Sequence, residues 1–94
     1  MLGAEKEETV KKCVEMLENV RGDTTVPRNI RRSMSGIEDK LLNSDESHAL
    51  RAAERMSDLE VLTTPPNIPV YARTVVRSII TQLETVSVEG QKKG

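Results

Sequence analysis

The sequence predicts an all-α protein, a compact antiparallel four-helix bundle made of two helical hairpins. Apolar residues recur at helical spacing in four segments, which are separated by short stretches rich in glycine, proline or serine. A chain of 94 residues suits one small domain, which we expect to span residues 1–94. Tyr71 is the single aromatic residue, so the core is expected to be aliphatic.

The first two helices are predicted at about residues 4–21 and 27–42. Gly22 stands at a C-terminal cap position, and Pro27 at a favoured first-turn position. Gly36 costs about 1 kcal/mol relative to alanine in mid-helix, which predicts a bend or a close neighbouring helix there. The apolar faces contain Val10, Cys13, Val14, Leu17 and Val20 on the first helix and Ile30, Met34, Ile37 and Leu41 on the second.

The last two helices are predicted at about residues 45–62 and 69–87. Ser44 is the expected N-cap of the third helix, whose inner face is rich in alanine and predicts close approach to a neighbour. The fourth helix has the widest apolar arc and is expected to be the most buried. Residues 88–94 are expected to form a frayed tail.

The two halves of the chain repeat weakly. Val26-Pro27 and Ile68-Pro69 lie 42 residues apart, and Arg31 and Arg73 share the same offset. A solenoid needs three or more such units, so we favour a closed bundle of two hairpins. Arg31 and Arg73 lie on the flank of an apolar face, where a buried stem and a satisfied charged head are common, and we interpret both as structural.

Three arginines, Arg28, Arg31 and Arg32, stand near the start of the second helix, where the helix dipole favours acids. In one interpretation, acids of the first hairpin pair with them; the candidates are Glu15, Glu18 and Asp23. In the other, Arg28 and Arg32 join the free backbone amides at the helix start in contacting an anion or phosphate. Plain solvated surface is a third alternative.

Composition restricts the remaining chemistry. The net charge of −1 gives no general attraction to nucleic acid or acidic lipid, and no apolar run predicts a membrane span. Cys13 is the only cysteine, so the cytoplasm is the expected compartment. With His48 as the only histidine, and no phosphate loop or nucleophile motif, we expect no catalytic residues, no metal and no cofactor.

Apolar residues outside the inner face of the third helix predict an interface. They are Leu50, Val61 and Leu62. We therefore expect a small non-enzymatic protein-interaction module or a homodimer, with a protein partner or a second copy as ligand and no membrane. The alternative is a nucleic-acid or ribosome-associated factor that contacts phosphates through Arg28 and Arg32.

Two stretches resemble the signature regions of a small archaeal family, uncharacterised protein family 0147. They are TTVPRNIRR at 24–32, and PPNIPVYARTVV followed by ITQLE within 65–84. The resemblance covers about residues 10–86, without the leader 1–8, and Gly36 departs from the family's expected pattern. It implies an intracellular protein with a compact four-helix fold and no assigned activity, and it supplies no catalytic residues.

Overall fold

A computed structural model describes residues 3–91, with side chains for residues 4–87. Within this part of the chain there are four α-helices and no strand, which confirms the predicted fold class. The helices are α1 Gly3–Arg21, α2 Arg28–Asn43, α3 His48–Leu62 and α4 Val70–Gln91. The last three residues of the predicted frayed tail, 92–94, lie outside the described residues.

The helices pack side by side around one core. Each helix contacts the next one along the chain, α4 also contacts α1, and a smaller contact joins α1 to α3. The core is aliphatic, as predicted: its buried residues include the apolar faces predicted for the first two helices, and Val26, Leu62 and Ile68 join them. The largest fully buried side chains include Leu17, Met34, Leu41, Leu59, Ile79 and Leu83. Tyr71 lies outside this core, with 47% of its surface exposed.

The helix pairs differ in the extent of their contact. The contact between α3 and α4 is the most extensive, and each of these helices carries a fully buried alanine, Ala52 on α3 and Ala72 on α4. Small side chains let two helix backbones approach closely, as the alanine-rich face of α3 predicts. The contact between α2 and α3 is less extensive, and an open surface lies between these two helices.

Two predicted helix ends are wrong. The N-cap of α3 is Ser47, whose Oγ accepts a hydrogen bond of 3.2 Å from Leu50 N, so the helix begins at His48 rather than at 45. Ser44 instead accepts from Glu46 N at 3.0 Å, in a turn that precedes the helix. At the other end of the chain, α4 continues to Gln91, so residues 88–91 are helical rather than frayed.

Arginines hold all three connections between helices. Arg31, Arg51 and Arg73 are each the fourth residue of a helix, and each donates to backbone carbonyls of the connection before it. Arg31 Nε donates to Val26 O at 3.0 Å. Arg73 donates to Thr63 O at 3.0 Å and to Pro65 O at 3.1 Å. This geometry agrees with the structural role that the repeat predicts for Arg31 and Arg73.

Arg51 makes the largest set of these bonds. Its three nitrogens donate to Glu46 O at 2.8 Å, Leu41 O at 3.0 Å and Ser44 O at 2.7 Å. Both the end of α2 and the following turn are thus tied to α3. Leu41 O lies in the last turn of α2, where carbonyl groups find no N–H donor within the helix, and Arg51 supplies that donor.

Candidate functional site

The predicted pairing of the α2 arginines with acids of α1 does not occur. Arg28 and Arg32 are exposed and form no hydrogen bond or ion pair with any residue that the structure describes. The charge of Arg31 reaches only Asp23. The pKa of Asp23 is lowered, chiefly because its carboxylate accepts hydrogen bonds from the Thr25 hydroxyl and backbone N–H, and secondarily by Arg31.

The ion pair that does cross from α1 to α2 has the opposite polarity. Arg21 Nε, at the end of α1, lies 2.9 Å from Oε2 of the buried Glu38 on α2. This hydrogen bond, together with the Glu38 charge, raises the pKa of the Arg21 guanidinium. The carboxylate of this ion pair therefore belongs to α2, and the side chains of Arg28 and Arg32 pair with no acid among the described residues.

The start of α2 leaves backbone donors without helical partners. Pro27 makes no side-chain cap, and the first helical bond runs from Arg31 N to Pro27 O at 3.0 Å. The amides of the first turn therefore have no acceptor within the helix, and the turn contains no acid. Arg28 and Arg32 thus stand beside the positive end of a helix dipole.

The three residues of the predicted interface differ in exposure. Val61 is 65% exposed and Leu50 is 45% exposed, whereas Leu62 is only 4% exposed. The expectation of an exposed Leu62 is therefore wrong. Leu62 belongs to the buried core, and it also lines the base of the open surface between α2 and α3.

An open groove runs between α2 and α3. Its first part is a cavity of about 330 Å³ lined by Ser33, Gly36, Ile37, Lys40, Asp58, Val61 and Leu62. Its second part, of about 380 Å³, is lined by Asp39, Lys40, Asn43, Ser44, Glu46, Glu54 and Arg55. Lys40 lines both parts, so they form one continuous surface, which we call the α2–α3 groove.

Gly36 forms a notch in this groove. A Cβ atom built on Gly36 would meet no other atom within 4 Å. The predicted close approach of a neighbouring helix at Gly36 is therefore wrong within this chain. The missing side chain instead deepens the open side of α2, opposite the exposed side chain of Val61 on α3.

Some charged side chains in the groove form ion pairs and others do not. Arg55 Nε lies 2.8 Å from Asp58 Oδ2, and Arg55 Nη2 lies 3.6 Å from Glu54 Oε1. The shorter contact is an ion pair without the alignment of a hydrogen bond, since Arg55 Nε has no hydrogen-bond partner. The Lys40 side chain forms no ion pair or hydrogen bond with the described part of the chain. Lys40 is thus a cation without an ion pair, in a groove whose lining also contains acids.

Other reactive groups do not form a site. Cys13 is fully buried, and burial raises the pKa of its thiol to about 11, although Lys12 opposes the shift. Nowhere in residues 3–91 do three or more histidine, cysteine or acidic side chains stand together as a metal site would require. None of the four helices is both long and apolar enough to cross a bilayer, as judged over the described residues.

Sequence reasoning missed the groove and the role of Arg51. Ser33 and Gly36, three residues apart on α2, are the only local signal of an open surface. That signal could not be interpreted without the distance between α2 and α3. Arg51 gives no pattern of its own, because its partners are carbonyl groups of an irregular turn.

These features define a small all-helical protein that presents an open groove between two helices and a pair of unpaired arginines. A model of the family described as "Uncharacterised protein family (UPF0147)" matches residues 2–86. The chain therefore belongs to UPF0147, as the two signature-like stretches predict. The match includes residues 2–8, so the expectation that the leader lies outside it is wrong.

Relatives of similar length occur in archaea. A UPF0147 protein of Methanosarcina mazei is 40% identical over 89 residues, which is 95% of this chain and 96% of the relative. A UPF0147 protein of Archaeoglobus fulgidus is 41% identical over 80 residues, which is 85% of this chain and 91% of the relative. Neither name states an activity.

Two solved structures share the fold. A protein from UPF0147 of Thermoplasma acidophilum superposes with a TM-score of 0.78 at 32% identity, covering 87% of this chain and 96% of that one. The protein MMP1188, described as of unknown function, superposes with a TM-score of 0.77 at 35% identity, covering 82% of this chain and 88% of that one.

Proposed function

We propose that this protein is a non-enzymatic protein-interaction module whose binding surface is the α2–α3 groove. The observation that carries the proposal is Val61, an aliphatic side chain 65% exposed at the edge of a groove with an apolar floor. Covering such a side chain contributes about 1.5–3 kcal/mol of favourable free energy. A helix from a partner fits a groove of this kind, because its side chains reach the floor at every turn.

The floor and the charges of the groove support a partner of mixed character. Ile37 and Leu62 are nearly buried beneath the groove, so they favour an apolar residue above them. Lys40 favours a partner carboxylate, since no acid among the described residues forms an ion pair with it. We propose that the module works inside the cytoplasm, where the thiol of Cys13 stays reduced.

Site-specific photo-crosslinking tests the interaction module. A photoreactive residue replaces Val61 in one variant and Ser78, an exposed residue of α4, in the control. Both are irradiated in extract of the source organism, and the crosslinked species are identified by mass spectrometry. We expect a discrete adduct from position 61 that the additional substitution Gly36→Leu removes, because leucine fills the notch.

The same experiment can contradict the proposal. Equal labelling from positions 61 and 78 would mean that the groove has no preferred partner. An adduct that survives Gly36→Leu would place the contact outside the groove. One half of each sample is treated with nuclease, so that contacts bridged by nucleic acid are recognised.

A second candidate function is phosphate binding through Arg28 and Arg32. It is favoured because both guanidinium groups are exposed, have no partner in the described chain and stand beside uncapped amides of α2. Such a site would bind RNA or DNA with an affinity that falls as salt rises. Each arginine that contacts a phosphate contributes about −1 to the slope of log K against log salt.

Fluorescence anisotropy with a labelled RNA decides this second candidate. Replacing Arg28 by glutamine should reduce the salt slope by about one, and replacing both arginines by about two. Lys12→Gln, which removes an exposed cation from α1, serves as the matched control. Absence of binding at low salt, or equal effects of the Arg28 and Lys12 substitutions, would reject phosphate binding.

A further inference from the structure

The outer surface of α3 forms a ridge next to the α2–α3 groove. The ridge consists of Leu50, Glu54, Ser57 and Val61. At 100° per residue these positions fall within about 60° of arc, so they point in nearly the same direction. All four side chains are exposed, and apolar residues stand at both ends of the ridge with polar residues between them.

Residues of the ridge lie near residues of the groove. Val61 and Gly36 line the same cavity, so the exposed side chain and the notch lie near each other. Lys40 shares this cavity with Asp58 and shares the second cavity with Glu54, so it lies near both acids. Rotation about an axis parallel to the helices preserves the height of each residue along the bundle.

We propose that the occupant of the α2–α3 groove is a second copy of this chain, in a two-fold dimer whose axis runs parallel to the helices. The inference rests on the proposed interaction module and names its partner. In this dimer the α3 ridge of each copy lies in the groove of the other. Val61 enters the notch at Gly36 of the second copy, and Glu54 approaches Lys40 of the second copy.

Self-complementarity is the reason to choose a second copy over a different protein. A two-fold interface must carry each feature and its complement on one surface. This face carries an exposed valine with an empty notch, and an unpaired lysine with an exposed glutamate. The two-fold rotation brings Val61 to Gly36 and Glu54 to Lys40, and each of these two contacts occurs twice in the dimer.

The expected affinity follows from the size of the face. Helices α2 and α3 have 16 and 15 residues. They are therefore about 22–24 Å long, and a face of two such helices is at the small end of stable interfaces, which bury about 800 Å² per partner. We expect a dimer with a dissociation constant in the micromolar range.

Charge reversal provides the decisive test. Sedimentation equilibrium of the purified chain should show a dimer. Lys40→Glu and Glu54→Lys should each weaken the dimer at least about tenfold, because each places like charges opposite one another at both contacts. An equimolar mixture of the two variants should restore the dimer, since both contacts in the mixed pair are between opposite charges.

A shape variant and its control accompany this test. Val61→Ser should weaken the dimer, whereas Leu42→Ser should not, because Leu42 is 45% exposed but lies outside the groove. Circular dichroism verifies that each variant is folded. These substitutions fall on exposed positions, so the core stays intact.

Each outcome has a distinct meaning. A monomer at about 100 μM, or a dimer that the charge reversals leave unchanged, overturns the second-copy proposal, since micromolar binding would be saturated there. If the chain is monomeric but position 61 crosslinks to a different protein, the interaction module stands with another partner. If neither dimer nor crosslink is found, both proposals are rejected.

Discussion

The thiol of Cys13 lies on the α1 face that packs into the core, and none of its surface is exposed. Burial disfavours the thiolate, which accounts for a pKa of about 11 in place of the ordinary 9.0. The reactive form of a cysteine is the thiolate, so this side chain behaves as a small apolar residue at neutral pH.

The same shift predicts a loss of stability at high pH. Between pH 9.0 and about 11 the unfolded chain loses the thiol proton before the folded chain does, so the free energy of unfolding falls as pH rises through this window. Relative to Cys13→Ala, the wild type should lose about 1–2 kcal/mol between pH 8 and 11, and lose nothing below pH 8. Urea unfolding at a series of pH values measures the difference, and parallel curves for the two proteins would contradict it.

Gly36 gives a second prediction for a single residue. Gly36→Ala should raise the free energy of unfolding by about 0.5–1 kcal/mol, because alanine is the better helix former and its Cβ meets no atom. Urea unfolding in the Lys40→Glu background removes any contribution from association. Ser35→Ala, at the exposed neighbouring position, should stabilise less. A destabilising effect of Gly36→Ala would mean that the notch is closed.

Each connection between helices is held by arginine bonds in addition to the bonds of its own turn residues. The bonds from Arg31, Arg51 and Arg73 satisfy one, three and two carbonyl partners respectively. Each arginine follows its connection by a fixed interval, as the fourth residue of the next helix.

The stabilities of single-substitution variants test the contribution of these arginine hydrogen bonds. Substitution by methionine keeps much of the aliphatic stem and removes the donors, so the loss should follow the number of bonds: Arg51 most, then Arg73, then Arg31. Arg51→Met should cost about 2–4 kcal/mol, because partly buried carbonyls lose charged donors. Arg32→Met is the control and should change stability by less than about 0.5 kcal/mol. Equal losses at all four positions would show that helix propensity dominates.

Helices and connections differ in how far the sequence predicts them. The apolar faces of α1, α2 and α4 follow from a periodicity that each segment carries by itself. The start of α3 was misplaced because Ser44 and Ser47 are both competent caps, and the choice between them depends on the turn that Arg51 holds. Bonds to irregular backbone leave no periodic trace in the sequence.

At the scale of the whole molecule, association should be visible in thermal stability. If the dimer forms as proposed, a hundredfold rise in protein concentration across the dissociation constant should raise Tm by about 4–8 °C. Lys40→Glu should abolish this dependence without lowering Tm at the smallest concentration. Circular dichroism at two path lengths provides the measurement. A Tm that is independent of concentration for the wild type would agree with a monomer and contradict the dimer.

The global arrangement was predictable and the candidate site was not. Four amphipathic segments with short connections allow few arrangements other than a bundle of two hairpins. The groove, in contrast, depends on how α2 and α3 pack against each other, since their contact is less extensive than the contact between α3 and α4. The burial of Leu62 also depends on tertiary packing, because Leu62 lines the groove between α2 and α3 and lies almost entirely within the core.

The position of Tyr71 determines how this protein can be observed. The chain has no tryptophan or phenylalanine, and its one tyrosine stands in the first turn of α4, partly in water. Ultraviolet absorption and intrinsic fluorescence therefore report on one surface turn and not on the packing of the aliphatic interior. Melting of the core would pass almost unnoticed by either spectroscopy. A tryptophan introduced beside the α2–α3 groove would be the single indole of the chain. With excitation selective for tryptophan, its emission would report binding at the groove without a contribution from other residues.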